Sequence, residues 1–521
     1  MTSLVARSIG AASVFAFALL GSAVATAAPP SSEGEALLDA KCSSCHVRSA
    51  GDGLFRIDHI RKTPEGWSMT LWRMRQWHGL QVSDDEERSL IKYLADTRGL
   101  APEEAAPYRY ALERRTLVEA PDDADTAVLC ARCHSYARPA LQRRTEDEWR
   151  RLIHMHLAQW PTIEYHAFSR DRKWWEIVST QLPAKLAAKW PLSSAAWDRW
   201  KTKTSPDLSG VWTVSGHRPG KGGYTGRMDV RAADRDHYAM TYRLVWADGS
   251  EETGQGSSVV YTGYEWRGST TLGGERRDEV LTVEPGGNRI AGRWFVKGQE
   301  GVGGDMTAVR GSDMIASVTP AYLKRGIPTR ITIAGSGLAG TPSLGRGVKI
   351  SKVISSSPES VTVLAEAARN APEGPRAVAV GRAGLKDGLA IYGAIASVKV
   401  EPADMVARNG GNGGPVPTTL AQFEAVAYTG DGQRIGVVPA RWSARPFDDT
   451  ALHDKDVEFG GTLSADGLFT PGDAGPNPKR GGGNNNANLY VVAEVTDGPR
   501  QVEGKAHLII APQRWNDSPI R

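Results

Sequence analysis

The sequence has few cysteines, and none of them lies outside two short stretches. Among 521 residues there are four, in Cys42-Ser43-Ser44-Cys45-His46 and in Cys130-Ala131-Arg132-Cys133-His134. No thiol remains elsewhere for a disulfide framework or for additional zinc ligands. The formal charge of +4 is small for this length, so nothing in the composition indicates binding to nucleic acid. We also find no Ser/His/Asp or Cys/His nucleophile arrangement and no phosphate-binding loop, and we assign no catalytic residue.

Beyond its N-terminus the sequence has no apolar run long enough to cross a bilayer. The run from Ala11 to Leu20 follows Arg7 and precedes the small residues Ser22 to Ala28. A basic start, a short apolar run and an A-x-A site are typical of a secretory signal peptide. A membrane anchor is the alternative, but the run is shorter than the roughly 20 apolar residues of a span. We therefore expect cleavage near Ala28 and a periplasmic mature chain.

Both cysteine stretches read Cys-x-x-Cys-His, the attachment motif of c-type haem. Two thiols at this spacing can add to the two vinyl groups of one haem, and the adjacent imidazole then binds the iron. A redox dithiol does not need the histidine, and a zinc site needs further thiols nearby. The motifs therefore predict two covalently bound haem c groups. Their attachment residues are Cys42, Cys45, Cys130 and Cys133, with His46 and His134 as axial ligands.

The two motifs belong to a repeated segment, which we use to predict the remaining axial ligands. Thr63 to Trp67 can be laid on Thr145 to Trp149 without a gap, and Met74 then falls on His156. Each of these two residues follows its tryptophan by seven positions, about two helical turns, and so shares its helical face. We expect His46 and Met74 on the first iron and His134 and His156 on the second. The two irons should then differ in potential, because thioether ligation raises it.

Other residues near each motif remain possible ligands. They are Met69, His59 and His78 in the first half, and His154, Met155 and His166 in the second. Met74 and His156 could also be packing residues.

Helical patterns dominate up to about residue 200, and period-2 patterns follow. Ser83 followed by Glu86 has the form of a capping box that begins a helix. From Leu208 onward, alternating segments are separated by hairpin signals such as Asp248-Gly249. This pattern predicts six to eight antiparallel strands closed as a barrel. Gly210-Val211-Trp212 is similar to the Gly-x-Trp at the start of lipocalin-like barrels.

Two further β units follow the predicted barrel. The segments 315–320 and 330–337 resemble the start of IPT/TIG immunoglobulin-like domains, and the segments 423–428, 441–443 and 463–469 resemble bacterial group 2 immunoglobulin-like domains. Both resemblances imply β-sandwiches. The expected fold is therefore multidomain: an all-α dihaem cytochrome c domain, an antiparallel β-barrel and two immunoglobulin-like β-sandwich domains. The expected boundaries are 1–28 for the signal peptide, 29–203, 204–312, 313–394 and 395–521.

This order of parts resembles the α subunit of quinohemoprotein amine dehydrogenase. The resemblance covers the whole mature chain, and its most specific elements are the two haem motifs followed by Trp-x6-Met74 and Trp-x6-His156. It implies a β-propeller partner subunit and a small partner subunit that carries a cysteine tryptophylquinone. It also implies that the haems receive electrons from the oxidation of a primary amine and pass them to azurin or a small cytochrome c.

The cysteine count agrees with this division of labour. A cysteine tryptophylquinone needs a cysteine cross-linked to a tryptophan, and all four cysteines here belong to the haem motifs. The quinone is therefore expected on a partner subunit, and this chain is expected to relay electrons. Two alternatives remain open. One is a dihaem peroxidase, which needs an iron with an open sixth position, and the other is a cell-surface cytochrome whose immunoglobulin-like domains bind carbohydrate.

Overall fold

The computed structural model describes residues 30–163, 172–410 and 418–512. The predicted signal peptide, residues 1–28, lies outside the described residues. About 23% of the chain is helical, and the helices are concentrated in residues 30–200, which we call the front segment. None of the helices in the described ranges is long and apolar enough to span a membrane.

The front segment contains short and medium helices with four very short strands between them. Its helices are α1 Pro30–Cys42, α2 Pro64–His78, α3 Asp84–Thr97, α4 Pro102–Ala105, α5 Arg109–Leu112, α6 Ala124–Cys130, α7 Ala137–Ala140, α8 Glu146–Gln159, α9 Trp174–Thr180, α10 Leu182–Lys189 and α11 Ala195–Trp200. Its strands are β1 Arg48–Ser49, β2 Gly53–Leu54, β3 Ile60–Lys62 and β4 Gln142–Arg144.

The prediction of an all-α front domain was wrong, because the front segment mixes helices and strands. Strand β1 pairs with β2, and β3 pairs antiparallel with β4 from the other half of the repeat, with Arg61 opposite Arg143. A buried backbone segment must place its N–H and C=O groups in hydrogen bonds, and β3 and β4 do so with each other. Strands of two or three residues are too short to show a period-2 pattern, so they could not be predicted from hydrophobic periodicity.

The two halves of the repeat begin their long helices in the same way. Thr63 and Thr145 are the N-caps of α2 and α8, and each hydroxyl accepts a hydrogen bond from the backbone N–H three residues later, at 3.3 Å. Trp67 and Trp149 occupy the same position one turn into their helices, and both are 1% exposed. The expected capping box of Ser83 and Glu86 is confirmed at the start of α3.

Eight antiparallel strands after the front segment close into a barrel, which confirms the predicted barrel. The strands are β5 Gly210–Arg218, β6 Gly222–Asp234, β7 His237–Trp246, β8 Glu251–Tyr261, β9 Glu265–Leu272, β10 Glu275–Val283, β11 Arg289–Val296 and β12 Gln299–Val309. Alternate residues along β7 are buried, as the period-2 pattern predicts. Large side chains pack inside the barrel, among them Trp212, Trp246, Trp266 and Trp294.

The next β unit is built from two four-stranded sheets that enclose one apolar core. The first sheet has the order β13-β15-β18-β17, and the second has the order β14-β20-β19-β16. The strands are β13 Met314–Thr319, β14 Tyr322–Lys324, β15 Thr329–Ser336, β16 Pro342–Ser343, β17 Val348–Ser356, β18 Ser360–Ala367, β19 Gly374–Val380 and β20 Ala383–Tyr392.

The last unit has three sheets around a second core, with two short helices, α12 Asp449–His453 and α13 Asp456–Phe459. The strands are β21 Ser397–Glu401, β22 Asp404–Asn409, β23 Ala421–Gln422, β24 Glu424–Tyr428, β25 Arg434–Val437, β26 Arg441–Pro446, β27 Gly461–Leu463, β28 Leu468–Pro471, β29 Ala487–Asp497 and β30 Arg500–Pro512.

Buried polar contacts hold the front segment on the barrel. Arg267 of β9 binds Glu65 in the first turn of α2 at 2.5 Å and Glu265 at 3.2 Å. The backbone N–H of Thr262 donates to the carboxylate of Asp96 on α3 at 2.7 Å. Because Glu65 lies on α2, the barrel fixes the helix that carries Met74.

Candidate haem sites

Each Cys-x-x-Cys-His motif follows a helix that ends at its first cysteine. Helix α1 ends at Cys42, and the backbone N–H of His46 donates to the Cys42 carbonyl at 2.8 Å. Helix α6 ends at Cys130, after starting at the N-cap Asp123. The two motifs therefore occupy equivalent places in the two halves, each on a turn directly after a helix.

The four thiols are free, and two of them are held in the protonated state. Burial and the charge of Asp39 raise the pKa of Cys42 to about 11, and burial also raises the pKa of Cys130 to about 12. A thiolate is the form that binds a metal, so these pKa values do not favour zinc ligation. In the described ranges, no group of three or more His, Cys, Asp and Glu side chains could hold a metal ion. The donor set suits a haem, which takes only two axial ligands from the protein.

The three predicted axial histidines share one hydrogen-bond arrangement. The Nδ1 atoms of His46, His134 and His156 lie 3.0, 2.9 and 2.8 Å from the backbone carbonyls of Phe55, Ser135 and Leu152. A carbonyl only accepts, so Nδ1 must carry a proton, and Nε2 is the ring nitrogen that can bind a metal. Metal-binding histidines are commonly oriented by such a bond at the other ring nitrogen.

The structure brings the imidazole rings of His134 and His156 close together. Their ring centroids are 6.4 Å apart and their planes are inclined by 43°. Two metal–imidazole bonds of about 2 Å, with about 1.1 Å from each nitrogen to its ring centre, separate two ring centres by about 6 Å. The spacing of these two side chains therefore fits one iron between them.

Both of these imidazoles are held in the neutral form that can bind a metal. Burial lowers the pKa of His134 to about 4, and the guanidinium of Arg138 acts in the same direction. Burial, together with Arg138 and Arg73, also lowers the pKa of His156. At neutral pH both rings are uncharged, as ligation requires.

Met74 lies on the face of α2 that corresponds to the His156 face of α8. Trp67 and Leu71 are buried on α2, and Met74 continues their stripe one turn later in a half-buried position. Trp149 and Ile153 form the same stripe on α8 before His156. The helical register on which the ligand prediction depends is thus present in both halves, while ligation by Met74 stays a prediction.

The other possible ligands occupy different surroundings. The Nε2 atom of His59 lies 3.0 Å from a carboxylate oxygen of Asp52, and His78 is exposed at the end of α2. Met69 lines a cavity beside His134, on the side of the second motif. His154 is exposed and packs edge-on against Trp175, Met155 accepts a weak contact from Arg73, and His166 lies outside the described residues.

A cavity of about 760 Å³ adjoins the second motif and is bounded by three domains. Cys133 and His134 line it from the front segment, Glu300 and Gly301 from the barrel, and Met405 with its neighbours from the last unit. A volume of this size is typical of cofactor pockets. The cavity is also rich in cations, because Lys62, Arg73 and Arg138 lie in its wall.

A buried carboxylate that the sequence analysis missed, Glu104, holds the two halves together. Both Oε atoms of Glu104 accept from Arg61 at 2.8 Å, and Oε1 also accepts from Arg143 at 3.1 Å. Ser194 and the Ala101 N–H donate to the same carboxylate, each at 2.8 Å. Its sequence context, Ala-Pro-Glu-Glu, is typical of any helix start, so the pattern carried no signal for this role.

Four family models match the chain in sequence. Residues 32–197 match the model described as quinohemoprotein amine dehydrogenase A, alpha subunit, haem binding. Residues 205–311, 312–393 and 398–520 match the models of domains II, III and IV of the same alpha subunit.

Comparison with solved structures gives only partial similarities. A redesigned β barrel is 17% identical, with 20% of this chain and 92% of that chain covered and a TM-score of 0.18. Domains 5–6 of the S-layer protein SbsC are 11% identical, with 38% and 97% covered and a TM-score of 0.16. A SusE-like surface-located polysaccharide-binding protein of Bacteroides thetaiotaomicron is 7% identical, with 60% and 44% covered and a TM-score of 0.14. No curated protein matches the sequence.

Proposed function

The chain belongs to the quinohemoprotein amine dehydrogenase alpha-subunit family, and on that premise we propose that it is the two-haem electron relay of a periplasmic amine dehydrogenase. Family membership makes it a subunit of an oxidoreductase with a haem-binding domain. The proposal goes further, to the number of haems, to their ligands and to the direction of electron flow.

The pair His134 and His156 is the observation that carries the proposal. Their centroid spacing of 6.4 Å and the Nδ1–H bonds to backbone carbonyls support binding of one iron between two neutral imidazoles. Cys130 and Cys133 would hold the porphyrin covalently. In the first half, Cys42 and Cys45 would do the same, with His46 and Met74 as ligands. A bound haem supplies a one-electron redox centre at each place.

The protein residues would make each centre a relay and not a site of catalysis. With an axial ligand from the protein on both faces, an iron has no open position for peroxide or an amine. This arrangement favours electron transfer over a dihaem peroxidase. The chain would set the potential of each centre through the ligand type, through burial and through hydrogen bonds to the ligands.

The oxidation of the amine would take place on another subunit. A cysteine tryptophylquinone requires a cysteine, and the four cysteines of this chain all lie in the haem motifs. We therefore place the quinone on a small partner subunit and propose a β-propeller subunit as the third chain of a heterotrimer. Azurin or a small cytochrome c of the periplasm would accept the electrons, after cleavage of residues 1–28.

Purification of the complex from its native host tests this proposal. We expect this chain to co-elute with a larger propeller-type subunit and a small subunit, and to stain for covalent haem after denaturing electrophoresis. The purified complex should transfer electrons from a primary amine to azurin or to a small cytochrome c. A chain that is isolated alone, or a complex that oxidises no primary amine, would contradict the proposal.

A further inference from the structure

Two cations in the wall of the cavity have no counter-ion among the residues that the structure describes. Arg73 lies on α2 of the first half, and Arg138 lies on α7 of the second half. The guanidinium of Arg138 has no hydrogen bond or ion pair with the part of the chain that the structure describes. Arg73 has one weak contact there, from Nη1 to the sulfur of Met155 at 3.8 Å, and its buried Nε–H has no acceptor.

These two cations are close enough to repel each other. Burial lowers the pKa of Arg138 to about 10, and the charge of Arg73 contributes to this shift. Lys62 adds a third basic side chain, whose amine is buried and donates to Thr70 at 2.6 Å. Burial, with repulsion from Arg144 and Arg73, lowers the pKa of this lysine.

Three carboxylates in the wall of the cavity, those of Glu65, Glu119 and Asp404, have partners other than Arg73 and Arg138. Glu65 binds Arg267 of the barrel, and Asp404 binds His507. Glu119 accepts from the Tyr110 hydroxyl at 2.6 Å and from the Tyr136 backbone N–H at 2.7 Å. Buried charges are normally paired, because an unpaired charge in a poorly solvated place is costly. The cavity is thus suited to an anion that does not come from the described part of the chain.

The position of the cavity indicates which anion this is. Cys133 and His134 lie in the same wall, so a porphyrin attached there would bring its own carboxylates into the cavity. Guanidinium groups bind carboxylates through two parallel N–H bonds and do so at low entropic cost. We propose that Arg73 and Arg138 together bind a carboxylate of the porphyrin attached at Cys130 and Cys133. This inference rests on the proposed function.

The consequence is a connection between the two halves that depends on the second haem. Arg73 directly precedes Met74, a predicted ligand of the first iron. The carboxylate of the second haem would hold α2 through Arg73 and would thereby support the position of Met74. Arg73 and Arg138 act here as positioning residues, and they also raise the potential of the second haem, because nearby cations favour the reduced state.

Redox titration of the complete complex tests the proposal, with Arg73→Gln and Arg138→Gln made separately. Each change should lower the equilibrium constant for reduction of the bis-imidazole haem at least tenfold. For one electron this corresponds to a fall in potential of about 59 mV. The haem-to-protein ratio should stay at the wild-type value. Arg138→Lys, which keeps the charge but loses the two-pronged bond, should give a smaller shift. This variant also carries the test if a glutamine variant fails to fold.

Two control variants each remove a surface arginine, one from α2, which carries Met74, and one from α8, which carries His156. Arg75→Gln on α2 loses a pair with Glu87, and Arg150→Gln on α8 loses pairs with Glu146 and Asp147. Neither control should shift either potential by as much as the test variants. Unchanged potentials in Arg73→Gln, Arg138→Gln and Arg138→Lys would overturn the proposal.

A free anion is the other possible occupant of the cavity. In that case, the wild-type potential would change with the phosphate concentration at constant ionic strength, and Arg138→Gln would abolish this dependence. Such a result would overturn the porphyrin assignment. Failure here is distinct from failure of the proposed function. A wild-type chain without two haems would refute the function, whereas two haems with unchanged potentials in the variants would refute only this inference.

Discussion

Arg61 and Arg143 lie directly opposite one another across the β3–β4 pair, and both guanidinium groups bind the carboxylate of Glu104. The two arginines come from equivalent positions of the repeated halves, two residues before the N-caps Thr63 and Thr145. One carboxylate therefore joins the strands that lead into α2 and α8, the helices of the predicted ligands Met74 and His156. The position of α2 relative to α8 depends on this cluster.

Removal of the Glu104 carboxylate should destabilise the front segment strongly. Glu104→Ala leaves two buried arginines without their counter-ion, and a broken buried pair costs about 3–5 kcal/mol. Urea unfolding followed by haem absorption measures the loss. The control is Glu103→Ala, which removes an exposed carboxylate paired only with exposed Arg199 and should cost less than about 1 kcal/mol. Equal losses in the two variants would contradict the role of Glu104.

The same carboxylate predicts how stability depends on acid. Burial opposes ionisation of Glu104, but the hydrogen bonds and charges of Arg61 and Arg143 outweigh burial and lower its pKa to about 2. A lowered pKa in the folded state gives stability that is fully present above the unfolded pKa, about 4.3, and is lost as the pH falls toward 2. We expect the wild type to lose stability over this range and Glu104→Gln to lose less. An equal loss of unfolding free energy with falling pH in the two proteins would contradict the lowered pKa of Glu104.

The sequence could predict the elements that have a long pattern or a complete motif. The barrel followed from period-2 segments such as β7, and the start of α3 followed from Ser83 and Glu86. These features are local, so a single stretch of sequence contains them. The family resemblance followed from the order of the domains together with the two haem motifs. The expected domain boundaries and the ligands Met74 and His156 stay predictions.

What could not be predicted depends on contacts between distant residues. Strands β3 and β4 are at least 80 residues apart in sequence and contain three residues each, so neither shows a period. Glu104 and Arg138 look like ordinary surface charges in the sequence. Only the fold buries the first and leaves the guanidinium of the second without a counter-ion in the described part of the chain. The all-α prediction failed for the same reason, because helical periodicity cannot reveal a strand pair that spans the repeat.

Covalent attachment at each motif predicts a simple stoichiometry. Replacement of Cys130 and Cys133 together by Ser should halve the haem per chain, because two thioether bonds hold each haem. The matched variant, with Cys42 and Cys45 replaced, should also retain one haem. The pyridine haemochrome absorbance per chain measures the ratio. A ratio that does not change in either variant would contradict attachment at that motif.

The predicted thioether ligand can be checked by its absorption band. Met74→His should convert the first centre to two imidazole ligands and remove the near-infrared sulfur-to-iron band of the oxidised protein. Met69→His is the matched control on the same helix, and because Met69 faces the cavity beside His134, the band should remain. Loss of the band in Met69→His, together with its retention in Met74→His, would make Met69 the ligand. Conversely, His156→Met should generate a second band.

The central claim is that this chain carries electrons and does not itself oxidise the amine. Rapid mixing of a primary amine with the oxidised protein, followed by haem absorption, tests it most directly. The complete complex should show reduction of both haems, and the isolated chain with both haems oxidised should show none with the same amine. Reduction of the haems by the amine in the isolated chain would contradict the account.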